Sequence, residues 1–335
     1  MLDALLPADH DLPLAIAARP TFSIVVPAYN EAASILAFHA RLAHVMAPLG
    51  NWEVIYVNDG SGDDTLLRLQ SLRRQDPRLA LLNLSRNFGK EVAVTAGLDH
   101  ARGDAVIIID ADLQDPPELI PQLIAGWREG YDVVYAQRRA RHGDSAMKRA
   151  TADLFYRLMA RLGRVEMPKE AGDFRLLSRR AADAVRQLRE QHRMMKGLFA
   201  WIGYPSKAVP YDRAPRHAGE TKWNWWSLWN LAIEGITGFT VMPLKIATYL
   251  GLAVALLAAA YATKVVVKTL LWGDPVAGYP SLMTVILFLG GVQLITLGVI
   301  GEYLGRVFNE TKGRPLYLVE RFVPAEPAGG PGSSD

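Results

Sequence analysis

Two apolar stretches near the C-terminus, Ile246–Leu271 and Leu282–Leu304, constrain this chain more than any other feature. Each supplies the roughly 20 residues that an α-helix needs to cross the hydrocarbon core of a bilayer. The connection between them, WGDPVAGYP, carries no Lys or Arg, whereas Lys245 precedes the first stretch and Arg306, Lys312 and Arg314 follow the second. Basic residues are retained on the cytoplasmic side, so the pattern predicts a hairpin with both termini in the cytoplasm and a small external loop. Lys264 and Lys268, one helical turn apart, run against that bias and would have to snorkel together. The opening residues MLDALLPADHDLPLAIAARP lack a basic n-region and are interrupted by Asp3, Asp9 and Asp11, which makes a poor signal peptide. Residues 1–20 therefore read as an N-terminal extension, and everything ahead of the hairpin is expected on the cytosolic face of the cell (inner) membrane.

Ahead of the hairpin, short apolar runs alternate with helical patterns. FSIVVP (Phe22–Pro27), WEVIYVND (Trp52–Asp59), LALLNLS (Leu79–Ser85), DAVIIIDAD (Asp104–Asp112) and YDVVYAQR (Tyr131–Arg138) read as strands. Between them lie helical stretches at about Glu31–Met46, Leu66–Arg74, Lys90–Ala101 and in PPELIPQLIAGWREG. Repeated β-α units with continuous apolar strands predict an α/β fold with a doubly wound, mostly parallel sheet over residues 21–215. Ligands in such folds bind at the carboxyl ends of the strands. The polar clusters PAYNE, NDGSGDD, SRNFGK and DADLQD fall at those ends.

Residues 216–245 read as an interfacial segment, because KWNWWSLW places four tryptophans where the headgroups lie. The stretches SAMKRATADLFYRLMARLGR and RQLREQHRMMKGLFAWIGY have the composition of basic amphipathic helices, suited to anionic lipid or to a solvated face. Residues 305–335 read as a cytoplasmic tail with a disordered end. The net charge of +3 gives no argument for nucleic acid, and the absence of cysteine excludes disulfides, thiolate metal sites and a cysteine nucleophile.

In IIIDADLQD the isoleucines belong to the core, yet carboxylates follow at once and need a positive partner. Asp110, Asp112 and Gln114 alternate, so in extended conformation they point one way from the strand end. Two carboxylates and an amide oxygen suit a hard divalent cation, Mg2+ or Mn2+, that also takes phosphate oxygens. Asp115, followed by PPE, is the expected N-cap of the next helix. Asp59 has the chemistry to accept from a uracil N–H and Tyr29 to stack on the base, although a tight turn with an N-cap accounts equally well for each motif alone. No G-x-G-x-x-G follows the first strand, which disfavours a nicotinamide enzyme.

VVPAYNE, VNDGSGDDT, SRNFGKEVAVTAGLDHARGD, DADLQDPPE and GDFRLLSRRA, in that order, resemble the family 2 glycosyltransferases. The likeness is to their polyisoprenyl-phosphate branch, the dolichol-phosphate mannose synthases and bactoprenol glucosyltransferases, and extends over about Thr21–Glu320. The resemblance implies a GT-A-like domain, a nucleotide-sugar donor, a divalent metal, inversion at the anomeric carbon and a lipid phosphate acceptor. It implies that Pro27, Tyr29, Glu31 and Asp59 hold the nucleoside, that Gly89 and Lys90 approach the donor, and that Asp110, Asp112 and Gln114 hold metal and diphosphate. Arg138 would meet a phosphate and Asp173 and Arg175 would face the sugar and acceptor. Lys148, Arg149, Arg216 and Lys222 would grip the acceptor phosphate.

The chemistry has its own logic. A phosphate monoester is mostly dianionic at pH 7, so it is already a nucleophile and needs no general base. Asp173 is then expected to orient the sugar or Arg175. UDP-glucose and undecaprenyl phosphate are the expected substrates, with GDP-mannose, UDP-GlcNAc and an aminoarabinose donor as alternatives. A processive polysaccharide synthase is disfavoured by the lack of a Q-x-x-R-W motif and by having only two spans, and a catalytically silent scaffold by the intact acidic set. Gly290, Gly291 and Gly298 suggest a homo-oligomer through the spans.

Overall fold

A computed structural model describes residues 20–139, 171–211, 242–272 and 278–326. The segments holding SAMKRATADLFYRLMARLGR and KWNWWSLW, with Lys148, Arg149, Arg216 and Lys222, lie outside the described residues. Among those described, eight strands form a single sheet: β1 (Phe22–Ala28), β2 (Trp52–Asn58), β3 (Leu79–Leu84), β4 (Ala105–Ile108), β5 (Val133–Arg138), β6 (Ala171–Ser178), β7 (Ser206–Tyr211) and β8 (Val319–Val323). Their spatial order is β7-β5-β6-β4-β1-β2-β3-β8. β4, β1, β2 and β3 are mutually parallel, whereas β6 runs antiparallel between β4 and β5, and β8 runs antiparallel along β3. The sheet is thus mixed, with the expected parallel centre.

Period-two alternation splits the core into two layers. Ile24, Val26 and Tyr56 face α1 (Ile35–Met46), α2 (Thr65–Gln75) and α4 (Ile120–Arg128), whose contributions include Phe38, Leu42, Leu69 and Leu123. Val25, Ile55 and Val57 face α3 (Lys90–His100), α5 (Arg179–Gln187) and α6 (Met195–Trp201). In α1 the buried positions Ile35, Phe38, Leu42 and Met46 keep the helical spacing that the sequence announced. α3 approaches β1 closely because Gly97 lacks a side chain: a Cβ there would stand 2.2 Å from Val25 Cγ1.

Three expectations change. The stretch Arg186–Tyr204 is not one lipid-lying helix; α5 ends at Gln187, α6 begins at Met195, and Met195, Leu198 and Phe199 are buried in the second core layer. The fourth strand stops at Ile108 rather than running to Asp112. The C-terminal tail is not all tail: residues 319–323 return from the hairpin as β8, with Leu82 opposite Phe322 and Asn83 opposite Arg321. Polar ties fasten that return, including Arg73 to Glu326 at 2.8 Å and Tyr317 Oη to Asp99 at 2.8 Å.

α7 (Met242–Trp272) and α8 (Tyr279–Thr311) are long and apolar enough to cross a membrane, and large apolar side chains such as Leu256, Leu257, Leu294 and Leu297 stand exposed along them. At 1.5 Å per residue both are longer than a hydrocarbon core of about 30 Å is thick. The end of α8 meets the sheet domain, where Glu310 Oε1 accepts from the Gln191 N–H at 2.7 Å. A Cβ at Gly290, Gly291 or Gly298 would meet nothing within 4 Å, so these glycines do not serve packing inside the hairpin.

Candidate active site

Strand register assembles the acidic centre. Because β6 is antiparallel to β4 with Ile108 opposite Arg175, the start of β6 lies at the carboxyl end of β4, and Asp173 arrives beside Asp110. The N-terminus of α3 reaches the same point, with Gly89 at φ 97° as its cap, a conformation suited to glycine. From there Lys90 Nζ donates to Asp110 Oδ2 and to Asp173 Oδ2, both at 2.6 Å. Lys90 is the positive partner that the acidic strand end required. Burial works against its charge, but the two carboxylates outweigh burial and raise its pKa. Burial also pushes the Asp173 carboxyl up, yet Lys90 and Lys196 hold it well below the usual carboxylate range. Asp173 Oδ1 is buried and has no hydrogen-bond partner among the described residues, with Lys196 Nζ 4.0 Å away. A buried carboxylate oxygen left without a partner is a group that a bound ligand hydroxyl can satisfy.

After β4 the chain turns instead of continuing extended. The Gln114 N–H donates to Asp112 Oδ1 at 3.0 Å, and Leu113 takes φ 61°. The alternation argument for Asp110, Asp112 and Gln114 therefore fails in its geometry: what joins Gln114 to Asp112 is a backbone bond, and the Gln114 side chain is buried at 6% exposure. Asp115 is not an N-cap either. Pro116 occupies the cap of the following 3-10 turn, and buried Asp115 accepts from Tyr211 Oη on β7.

Glu31 lies on the other side of the acidic group. Burial raises its pKa, as do the charges of Asp112, Asp110 and Asp63, against a bond from Ser34 at 2.6 Å. The carboxylates Glu31, Asp110 and Asp112 thus share one negative field that Lys90 meets only at Asp110. Among the described residues no three His, Asp or Glu side chains form a metal cluster by themselves. Magnesium-type sites commonly use one or two carboxylates and complete the shell with water and phosphate oxygens, and Asp110 and Asp112 fit that pattern.

Tyr29 is half exposed at the end of β1, after buried Pro27. Asp59, at the end of β2, is buried and accepts from the N–H groups of Phe88 at 2.7 Å and Gly89 at 2.9 Å. Each of its oxygens already holds the 85–90 loop, so a base N–H would use a remaining lone pair. Gly60, at φ 63°, permits that loop contact, because a Cβ would come within 2.4 Å of the Arg86 carbonyl carbon.

Arg175 is buried, with its guanidinium 4.0 Å above the Phe199 ring and a bond of 2.7 Å to the Gly172 carbonyl. Burial lowers its pKa to about 10, which leaves it cationic at neutral pH. Arg138 ends β5 opposite Tyr211, and its Nε is buried with no hydrogen-bond partner among the described residues. Two residues at this centre were not anticipated. Lys196, at the start of α6, faces Asp173, and half-buried Glu91 accepts from the Met195 N–H at 3.1 Å. Burial, then the charge of Asp173, push the Glu91 carboxyl up to about 7. Glu91 was visible in sequence only as the residue after Lys90, with nothing to mark α6 as its neighbour.

Residues 23–186 match the model of the family described as "Glycosyl transferase family 2", and residues 242–307 match that of the "GtrB C-terminal hairpin". An uncharacterised glycosyltransferase of Synechocystis is 55% identical over 89% of this chain and 94% of its own. A prophage-derived bactoprenol glucosyl transferase of Shigella flexneri is 47% identical over 89% of this chain and 97% of its own. Among solved structures, a glucosyl-3-phosphoglycerate synthase of Mycobacterium tuberculosis aligns with a TM-score of 0.44 at 21% identity, over 65% of this chain and 78% of that one.

Proposed function

The chain belongs to glycosyl transferase family 2 and is a glycosyltransferase, and from that premise we propose that it transfers a sugar from a nucleotide sugar to a polyisoprenyl phosphate at the cytoplasmic membrane face. One observation carries the reading. The likeness to a relative named a bactoprenol glucosyl transferase runs through sheet domain and hairpin together, over 89% of the chain. UDP-glucose is the proposed donor and undecaprenyl phosphate the proposed acceptor, with the product serving cell-envelope glycan or lipid modification.

In this reading an acceptor phosphate oxygen attacks the anomeric carbon, the bond to the diphosphate breaks with its electron pair leaving on UDP, and the centre inverts. Asp110 and Asp112 would hold a divalent cation, Mg2+ or Mn2+, which supplies positive charge to the diphosphate as it leaves. Tyr29 stacks on the base, with Pro27, Glu31 and Asp59 around the nucleoside. Asp173 offers its unpaired Oδ1 to a sugar hydroxyl and is a poor base, because two ammonium groups hold down the affinity of its carboxylate for a proton. Lys90 exchanges part of its hold on Asp110 for the incoming donor, beside Gly89. Arg138 is proposed to meet the acceptor phosphate with its guanidinium, and Lys148, Arg149, Arg216 and Lys222 are proposed to complete that grip. Charge neutralisation and alignment are what such a step needs from the protein. The hairpin crosses the membrane twice with both termini cytoplasmic.

A thermal-shift panel of nucleotide sugars with Mn2+ tests the donor. UDP-glucose and UDP are expected to raise Tm by several degrees, and EDTA to remove the shift, as binding to the folded state alone requires. A shift with GDP-mannose and none with uridine nucleotides would overturn the uridine assignment.

A further inference from the structure

A file of hydrogen bonds crosses the rim of the sheet, from the strand that returns from the hairpin to the loop that carries Tyr29. Glu320 Oε2 on β8 accepts from Asn83 Nδ2 at 2.5 Å. Asn83 Oδ1 accepts from Asn58 Nδ2 at 2.6 Å, and Asn58 Oδ1 accepts from Ser61 Oγ at 2.6 Å. Ser61 Oγ in turn accepts from the Asn30 N–H at 3.1 Å. The two asparagines are 7% and 1% exposed and stand opposite each other in the β2–β3 register.

The file has a direction, and Glu320 sets it. A carboxylate only accepts, so Asn83 must turn its NH2 toward Glu320 and its oxygen toward Asn58. Asn58 must then present its NH2 to Asn83 and its oxygen to Ser61. The Ser61 proton is committed to Asn58, which leaves a hydroxyl lone pair for the Asn30 N–H. With the amides reversed, the Asn83 oxygen would face the Glu320 carboxylate, and buried donors and acceptors would go unmatched. At the far end Asn30 sits at φ 56° and its Oδ1 accepts from the Gly62 N–H at 2.9 Å, so the 29–31 and 60–62 loops are locked together. Those loops flank Tyr29 and Asp59. At the near end the Ser85 N–H donates to the Leu318 carbonyl at 3.0 Å, which ties the same tail to the loop leading to Gly89.

We propose that Glu320 is a positioning residue for the donor site: the strand that returns from the membrane hairpin orients, through Asn83, Asn58 and Ser61, the two loops that receive the nucleoside. The proposal rests on the nucleotide-sugar reading. It makes the return strand a component of donor recognition, so that a chain cut after α8 would keep its acidic centre yet bind donor weakly.

The test uses the full chain in detergent or nanodiscs, with UDP binding, donor KM, kcat and Tm measured for Glu320→Ala, Glu320→Gln and Val319→Ala. Glu320→Ala should raise the UDP Kd and the donor KM about tenfold with kcat within about twofold, the size of one lost directing bond. Glu320→Gln can offer Oε1 to the same Asn83 NH2 and should stay within about threefold of wild type. Val319→Ala, an exposed neighbour on β8, should leave Kd and KM unchanged. Unaltered UDP binding in Glu320→Ala would overturn the proposal while leaving the nucleotide-sugar reading intact, as would Val319→Ala and Glu320→Ala changing alike. A wild-type protein that binds no uridine nucleotide would overturn both.

Discussion

Asp112→Ala is expected to leave the protein folded and to cut sugar transfer by about 10³-fold or more, as loss of a group that stabilises charge in the transition state does. Asp112 sits in the turn beyond β4, outside both core layers, and among the described residues the one bond to it is from the Gln114 N–H. Losing that bond costs about 1 kcal/mol, within reach of a folded domain. Chemically the loss is larger, because Asp110 is already shared with Lys90, whereas Asp112 has no cation partner among the described residues. The measurements are kcat/KM for donor and Tm on the same preparation. Activity within tenfold of wild type, at unchanged Tm, would remove Asp112 from the diphosphate site.

Asp173→Asn gives the second large effect, a fall of about 10²-fold in kcat, with a signature in the pH–rate profile. The substitution removes the charge that meets Lys90 and Lys196, yet keeps an oxygen that can accept from a sugar hydroxyl. If the acceptor phosphate is itself the nucleophile, the acidic limb of the profile reports its second ionisation, near pH 6, and not a protein base. Activity therefore falls as pH drops through about 6 in wild type and variant alike. Disappearance of that limb in the variant, with substrate binding intact, would make Asp173 the base and contradict the nucleophile assigned here.

Much of the fold could be read from residues that carry periodic burial. FSIVVP, WEVIYVN and LALLNL lie in parallel central strands, and their unbroken apolar runs say so. β6 and β8 were not legible, because an antiparallel strand entering from a distant segment leaves no local trace of its partner. AGDFRLLS and VERFV are too polar to announce burial against β4 and β3. The site shows the same division. Asp110, Asp112 and Asp59 were found from strand ends, but their partners came from long-range register: Lys90 meets Asp173 across 83 positions of sequence. Spacing alone also misled at Gln114, where a turn at Leu113 replaces the extended backbone that the alternation assumed.

In the proposed reaction one chain couples a nucleotide-sugar centre to a membrane-held phosphate acceptor. Incubation of the purified protein with labelled UDP-glucose, undecaprenyl phosphate and Mn2+, followed by organic extraction, tests it most directly. The expected product is a labelled lipid whose sugar is released by mild acid, formed in wild type, lost with EDTA and absent in Asp112→Ala. Label that stays water-soluble with every nucleotide sugar offered would contradict it.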